Sequence, residues 1–416
     1  MKQSNKLVLE IQEKAFFYFQ RYTNFVKGSK GYGLTSDNTK DPSKASIAAT
    51  GFTLSSYVIG VEYHYISREE ALKKVQKTLL TLRDAVPNYR GFFAHFVNIK
   101  TAERYKKCEY STIDTALAVN GIITVASYFH DSQIDQLADA IIKRVDWTNF
   151  IHEYNGKTRI YMAYNPDTGG DYTNGHPGYI YHWGMFAEQL MMYVMIAGGG
   201  YNPDLARRLY DGFERKKGSY AGYEYYYTPG NDLFVYQYPL AWLDLKDTID
   251  ADGISWFDNL AQATLGHRAW CLRNSKKYKT FGRDFFGLTA SYTPKGYRVW
   301  SCIPNSNNKP HTDGTVAPNA MIGSLPFNEK IILRSIKKMK SVEGLWGEYG
   351  FCDAFNFENE RWISTYHISI DKGLELLMAN AYLSKDVQNA YMRHPIIAQG
   401  IEVLRWTKTG RGGKTL

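Results

Sequence analysis

The chain is poor in cysteine and lacks the short signatures of metal, phosphate and dinucleotide sites. Its 416 residues include four cysteines, Cys108, Cys271, Cys302 and Cys352, widely separated and without a CxxC pair. That spacing excludes a zinc ribbon and a small disulfide scaffold, and isolated buried thiols are the expectation. HExxH, the P-loop, GxSxG and a GxGxxG after a usable strand are all missing, and the ten histidines are scattered. Neither a metal site nor a Ser-His-Asp triad therefore has a spacing signal, and no metal or organic cofactor is expected. The excess of positive charge is mild, 50 Lys+Arg against 41 Asp+Glu for a net +9. No element carries the Arg/Lys stripe that a nucleic-acid binder needs, so nucleic acid is not an expected partner. The nearest basic tract is the C-terminal KTGRGGK, and residues 408–416 read as a flexible tail. Long apolar runs are scarce as well. Charges interrupt each one in MKQSNKLVLEIQEKAFFYF, which rules out a signal-peptide core there, and no stretch reads as a membrane span. The expected compartment is the cytoplasm, or the periplasm or exterior if an export signal was removed.

What the chain has in abundance is aromatic surface. Aromatic residues make up 15% of it, with 33 tyrosines. Tyr and Trp pair a flat apolar face with a polar edge, which suits sugar rings and bases, although a large protein also fills its core with them. With 44% hydrophobic residues there is ample material for a core, and no Pro/Ser/Gly linker splits the chain. Residues 1–416 are expected to form a single domain.

The most distinctive stretch runs from Trp183 to Gly200, where Glu188 is the one ionisable side chain before Gly198. Its surroundings (Met185, Phe186, Leu190, Met191, Val194) are apolar on nearly every side, the mark of a buried helix. Desolvation should raise the pKa of such a carboxyl toward the range of a proton donor. A buried Glu paired with Arg, Lys or Tyr explains the same pattern.

Along the rest of the chain, helical periodicity over 6–22, 46–64, 67–82, 111–129 and 132–145 precedes a Gly/Asn/Tyr-rich segment at 152–181. Further helices are expected near 203–216, 255–273, 327–340, 372–383 and 386–405, with a hairpin at 90–110 and loops over 276–320 and 344–371. Alternating helices and long loops suggest a closed ring of helix pairs whose loops gather at one end to build a cleft.

Acids set among aromatics in those loops are Glu109, Asp114, Glu188, Asp313, Asp353 and Asp371. Paired carboxylates walled by Trp and Tyr are what glycoside hydrolysis requires, one acid for the leaving oxygen and a second carboxylate for water or direct attack. Structural roles compete at each. Asp114 follows Ser111 as in a capping box, Asp371 could cap a helix, and Asp313 in TDGT suits a turn. Asp353 sits in the apolar run FCDAF and is harder to explain that way.

Long ordered motifs carry a resemblance beyond these signals. They include AFFYFQ, SIAATGFTLSSYVIGVEYHYISREEAL at 46–72, GFFAHF at 91–96 and EYSTIDTALAVNGIITVASYF at 109–129. Further on come LFVYQYPLAWLDL at 233–245, DGTVAPNAMIGSLPF at 313–327, LWGEYGFCDAFN at 345–356 and ISIDKG at 368–373. On these the chain resembles the glycoamylase-like domain family, which includes the family 144 endo-β-1,2-glucanases. The resemblance implies an all-α, (α/α)6 barrel with an aromatic cleft, acting as a monomer on β-1,2-glucan by inversion and releasing sophorooligosaccharides. It also implies no cofactor and no membrane partner. Glu188 takes the acid's place and Asp371 that of the base, with Asp353 as the alternative. Glu109, Asp114, Trp183, Gln237, Trp242, Asp313, Trp346, Asp353 and Phe355 would bind substrate. The chain departs from the family pattern at Tyr236, Leu240, Tyr292 and Lys372. Those departures leave room for another linkage, for an exo-hydrolase or transglycosylase, or for a non-catalytic carbohydrate-binding protein on the same scaffold.

Overall fold

The computed structural model describes residues 3–167, 176–358 and 360–409. Among the described residues there are fourteen α-helices. They are α1 (Gln3–Tyr22), α2 (Ile47–Glu62), α3 (Arg68–Asp84), α4 (Thr112–Phe129), α5 (Ser132–Arg144), α6 (Leu190–Gly198) and α7 (Pro203–Asp211). The second half adds α8 (Leu233–Trp242), α9 (Trp256–Arg273), α10 (Pro318–Ile322), α11 (Glu329–Lys340), α12 (Ser369–Leu383), α13 (Asp386–Met392) and α14 (Pro395–Val403). Short antiparallel hairpins fill most of the connections, so the chain is helix-rich with β-structure in its loops.

Two kinds of helix alternate. In α2, α4, α6, α8 and α12 nearly every residue is buried, whereas α3, α5, α7 and α11 bury one stripe and expose the other. A helix apolar all round needs neighbours on every side, and an amphipathic one needs them on a single face. The first set therefore lies inside and the second forms an outer layer. α2 packs on α4 and α12, α3 on α5, and α6 on α14. The α2–α4 crossing is backbone to backbone: a Cβ on Gly51 would run into Leu117 O, and one on Gly121 into Gly51 O. α4 is long and apolar enough to pass for a membrane span, but 83% of it is buried by the rest of the protein, so packing accounts for its composition.

Helix starts follow their capping residues. Ser46, Ser67, Ser111 and Ser255 each accept a backbone N–H three residues on, opening α2, α3, α4 and α9. The 90–110 segment does not pair only with itself, because Phe96–Asn98 joins Lys44–Ser46 and so ties the loops before α2 and α4 together. Of the 152–181 segment, residues 168–175 lie outside the described residues, and the flanking parts form a sheet: Lys157–Tyr164 pairs with Ile151–Tyr154, with Tyr110–Ser111 and with Tyr179–His182. Its period-2 signal is hidden because both faces carry Tyr.

Two more expectations are corrected. The helix expected from Trp183 begins only at Leu190, because Trp183 N–H and Phe186 N–H donate to Ile160 O and Glu214 O instead of continuing a helical ladder. At the start of the tail expected from 408, Thr407–Lys408 pairs with Thr248–Ile249. Residues 410–416 lie outside the described residues.

Candidate active site

Glu188 sits in the turn just ahead of α6, its position fixed by the backbone pairing of Met185 with Glu214 and by Gln189, whose amide donates to Met185 O at 3.0 Å. It lines a cavity of about 200 Å³ together with His95 and Asp114, Phe234 and Tyr238 of α8, Tyr297, and Asp371 of α12. Among the described residues nothing donates a hydrogen bond to its carboxyl, and no cation pairs with it. Burial pushes its pKa up to about 8, and the nearby Asp114 and Asp232 add to the rise while His95 opposes it. A carboxyl in that state keeps its proton at neutral pH and can give it away.

The opposite wall holds a second acid centre. Asp371 lies in the first turn of α12, whose N-cap is Ile368, so it is not the cap that its position near the helix start suggests. Beside it stands the Asp353 carboxyl, and both are buried. Neighbouring buried carboxyls resist ionising together, which favours keeping a proton on one of them. Asp353 Oδ1 and Asp371 Oδ2 have no hydrogen-bond partner among the described residues, while Asp353 Oδ2 accepts the Tyr292 N–H at 2.6 Å. Burial and the neighbouring carboxyl lift Asp371 well above the ordinary carboxylate range. Behind the pair, Lys372 Nζ bonds Glu375 Oε2 at 2.6 Å and Phe351 O at 2.6 Å, fully enclosed.

His95, Asp114, Tyr297 and Ile370 are shared with an outer chamber of about 400 Å³, which adds Asp37, Lys44, Phe96 and Tyr292. The two spaces form one cleft at the N-terminal ends of α2, α4 and α12. Tyr292 and Tyr297 belong to the hairpin Ala290–Thr293/Gly296–Val299 that overhangs it.

The expected substrate residues divide. Asp114 faces the cleft while also capping α4 with Ser111, whose hydroxyl donates to Asp114 Oδ2 at 2.5 Å, and Glu109 stands behind His95. Asp353 belongs to the acid pair. The others are corrected. Gln237 is fully enclosed, its amide donating to Ala320 O and Ser324 Oγ. Trp242 is core, its Nε1 donating to Ser55 Oγ and its ring packed on Phe52. Trp183 donates to Thr112 Oγ1 in the interior, and Phe355 is buried between two strand partners. Asp313 closes its turn by accepting Thr315 N–H, and Trp346 lies between Lys14 and Lys340 away from the cleft. His95, Tyr238 and Tyr297 were not expected. The one available signal was a histidine set inside the aromatic run GFFAHF.

Comparison with known proteins adds the family. The model of the Glycoamylase family, described as "Putative glucoamylase", matches residues 180–395, more than half of the chain and including Glu188, Asp353 and Asp371. The chain belongs to the glycoamylase family. A curated relative, the exo β-1,2-glucooligosaccharide sophorohydrolase (non-reducing end) of Parabacteroides distasonis, is 24% identical over 96% of this chain. The chain spans 57% of that relative's length. The endo-β-1,2-glucanase of Chitinophaga pinensis, solved with sophorotriose and glucose, superposes with a TM-score of 0.83 at 23% identity, covering 98% of this chain and 99% of its own. The β-1,2-glucanase of P. distasonis superposes with a TM-score of 0.82 at 22% identity, over 97% of this chain and 60% of that one. This glycoamylase-family chain thus shares its helix-rich fold with solved β-1,2-glucanases from end to end.

Proposed function

We propose that the protein is a glycoside hydrolase of β-1,2-glucan, built as an (α/α)6 toroid whose inner helices carry the cleft and whose aromatic side chains line it. The alternation of enclosed and half-exposed helices supports the toroid, and relatives acting on this linkage support the substrate. One observation carries the reading. A carboxyl held protonated by burial, Glu188, shares a cavity with Asp371, which burial and the neighbouring Asp353 carboxyl lift above the ordinary carboxylate range.

In this mechanism Glu188 protonates the glycosidic oxygen as the bond to the anomeric carbon breaks. Asp371, which lines the cavity, takes a proton from the attacking water as it passes its own to Asp353, the member of the pair whose charge the Tyr292 N–H favours. Asp114 accepts sugar hydroxyls, and Tyr238 and Tyr297 supply ring faces. Two acids that work with a water between them invert the anomeric centre. Incubation with linear β-1,2-glucan should release sophorooligosaccharides, read by chromatography, with the inverted anomer appearing first by proton NMR. No cleavage of any linear β-glucan refutes the hydrolase, whereas a retained anomer refutes only the inverting step.

A further inference from the structure

The acid wall of the cleft contains a charged cluster whose histidine, His95, the mechanism above leaves unused. His95 Nδ1 stands 2.6 Å from Glu109 Oε1, and its Nε2 stands 3.4 Å from Asp114 Oδ1. Its backbone is pinned on both sides, since His95 N–H donates to Glu109 O and Ile47 N–H donates to His95 O. The ring stacks on Phe96 at 3.7 Å, and Lys44 stands over Phe96 at 4.2 Å. These bonds fix where the side chain starts, and turning the ring away would cost its contacts with Glu109 and Phe96.

We propose that His95 is a positioning residue: its imidazolium, clamped between Glu109 and Asp114, keeps the Asp114 carboxylate ionised and aimed into the cleft beside Glu188. The inference rests on the hydrolase reading for its consequence, though not for its geometry. A neutral imidazole has one N–H, so one ring nitrogen would point its lone pair at a carboxylate oxygen. With both carboxyls ionised, only the doubly protonated ring satisfies both contacts. The charges around it agree. Glu109 approaches from the loop before α4, Asp114 from α4, and Asp37 from the loop before α2, where Lys44 pairs with it at 2.8 Å. Glu188 faces the ring across the cavity. Three carboxylates against one lysine leave the ring as the missing counter-charge, and its pKa is raised accordingly, although burial works the other way.

The arrangement matters because Asp114 does two things at once. As a carboxylate it accepts sugar hydroxyls, and its charge raises the pKa of Glu188. Burial favours protonating Asp114, and His95 opposes that. If His95 loses its proton, one of its two contacts breaks and Asp114 is no longer held ionised against its burial. Hydrolysis should therefore need His95 charged.

The test replaces Glu109 with Gln, which keeps an acceptor for Nδ1–H and removes the charge. In the wild type the alkaline limb of kcat/KM should lie near the value of about 8 set by Glu188. In Glu109→Gln the His95 pKa should fall toward its ordinary value of about 6.5, and the limb should follow, cutting kcat/KM about tenfold at pH 7.5. KM should carry most of that loss at pH 7.5, because Asp114 holds substrate. In the wild type at pH 7, long-range proton–nitrogen NMR of the imidazoles should find both His95 nitrogens protonated. A limb unmoved in folded Glu109→Gln, or a bare ring nitrogen in the wild type at pH 7, overturns the inference. A wild type that cleaves no glucan refutes the hydrolase reading instead, and the NMR result then decides the state of His95 by itself.

Discussion

Glu188→Gln should move activity and stability in opposite directions. The glutamine keeps the shape of the protonated acid and cannot donate a proton to a leaving oxygen, so kcat should fall by about 10²–10⁴. Stability follows from linkage. Burial and two neighbouring carboxylates hold the folded-state pKa at about 8 against 4.5 for the free group. Above pH 4.5 the unfolded chain sheds this proton and the folded protein keeps it, so the group destabilises the fold increasingly as pH rises, levelling off beyond pH 8. At pH 7, about 2.5 above the unfolded value, the cost is capped at about 3 kcal/mol at 1.36 kcal/mol per unit. Glu188 retains some access to cavity water, which screens the charge and brings a working figure to about 1–2 kcal/mol. In a chain this long that is a Tm rise of about 1–2 °C for Glu188→Gln at pH 7. The gain should disappear below pH 4.5, where both states are protonated. Thermal unfolding of wild type and variant at pH 4, 7 and 8.5, beside rates on β-1,2-glucan, makes the comparison. A variant less stable than wild type at pH 8.5, or one within tenfold of wild-type kcat, would refute the reasoning.

Three other outcomes are expected. Asp353→Asn should lower the pKa of Asp371 by removing a like charge, shifting the acid limb of kcat/KM to lower pH, and an unmoved limb would remove Asp371 from the base role. Lys372→Met should destabilise by about 3–5 kcal/mol by leaving Glu375 charged and unpaired in the interior, and Lys372→Met/Glu375→Leu should recover much of it in urea titration. Trp242→Ala should cost about 3–5 kcal/mol of stability as a core cavity, while Trp242→Phe should leave KM unchanged. A raised KM in folded Trp242→Phe would return that residue to the cleft.

Composition and periodicity determined a good deal by themselves. Helices that are apolar all round can exist only beneath a second layer, so the apolar stretches at 46–64 and 111–129 pointed to the enclosed helices α2 and α4. The serines before α2, α3 and α4 marked the starts of those helices, because a hydroxyl that accepts an orphan N–H is a local interaction. The lone charge in the Trp183–Gly198 stretch pointed to Glu188, since desolvation depends on neighbours already visible in the sequence. Which aromatic residues face the cleft was another matter. Trp242, Gln237 and Phe355 have the same side chains as true sugar contacts, and only packing against Ser55, Ser324 and a strand partner sends them inward. The start of α6 was equally out of reach, because backbone groups of Ile160 and Glu214, distant in the chain, compete for the hydrogen bonds of Trp183 and Phe186. The pairing of Asp353 with Asp371, and of His95 with Glu109 and Asp114, joins groups 14 to 19 residues apart whose meeting no periodicity encodes. Desolvation inside one apolar stretch is set by local pattern and survives in the sequence; which aromatic face turns to the cleft, and which carboxyls meet, depends on ångström-scale approach between separate elements, which the tertiary fold alone supplies.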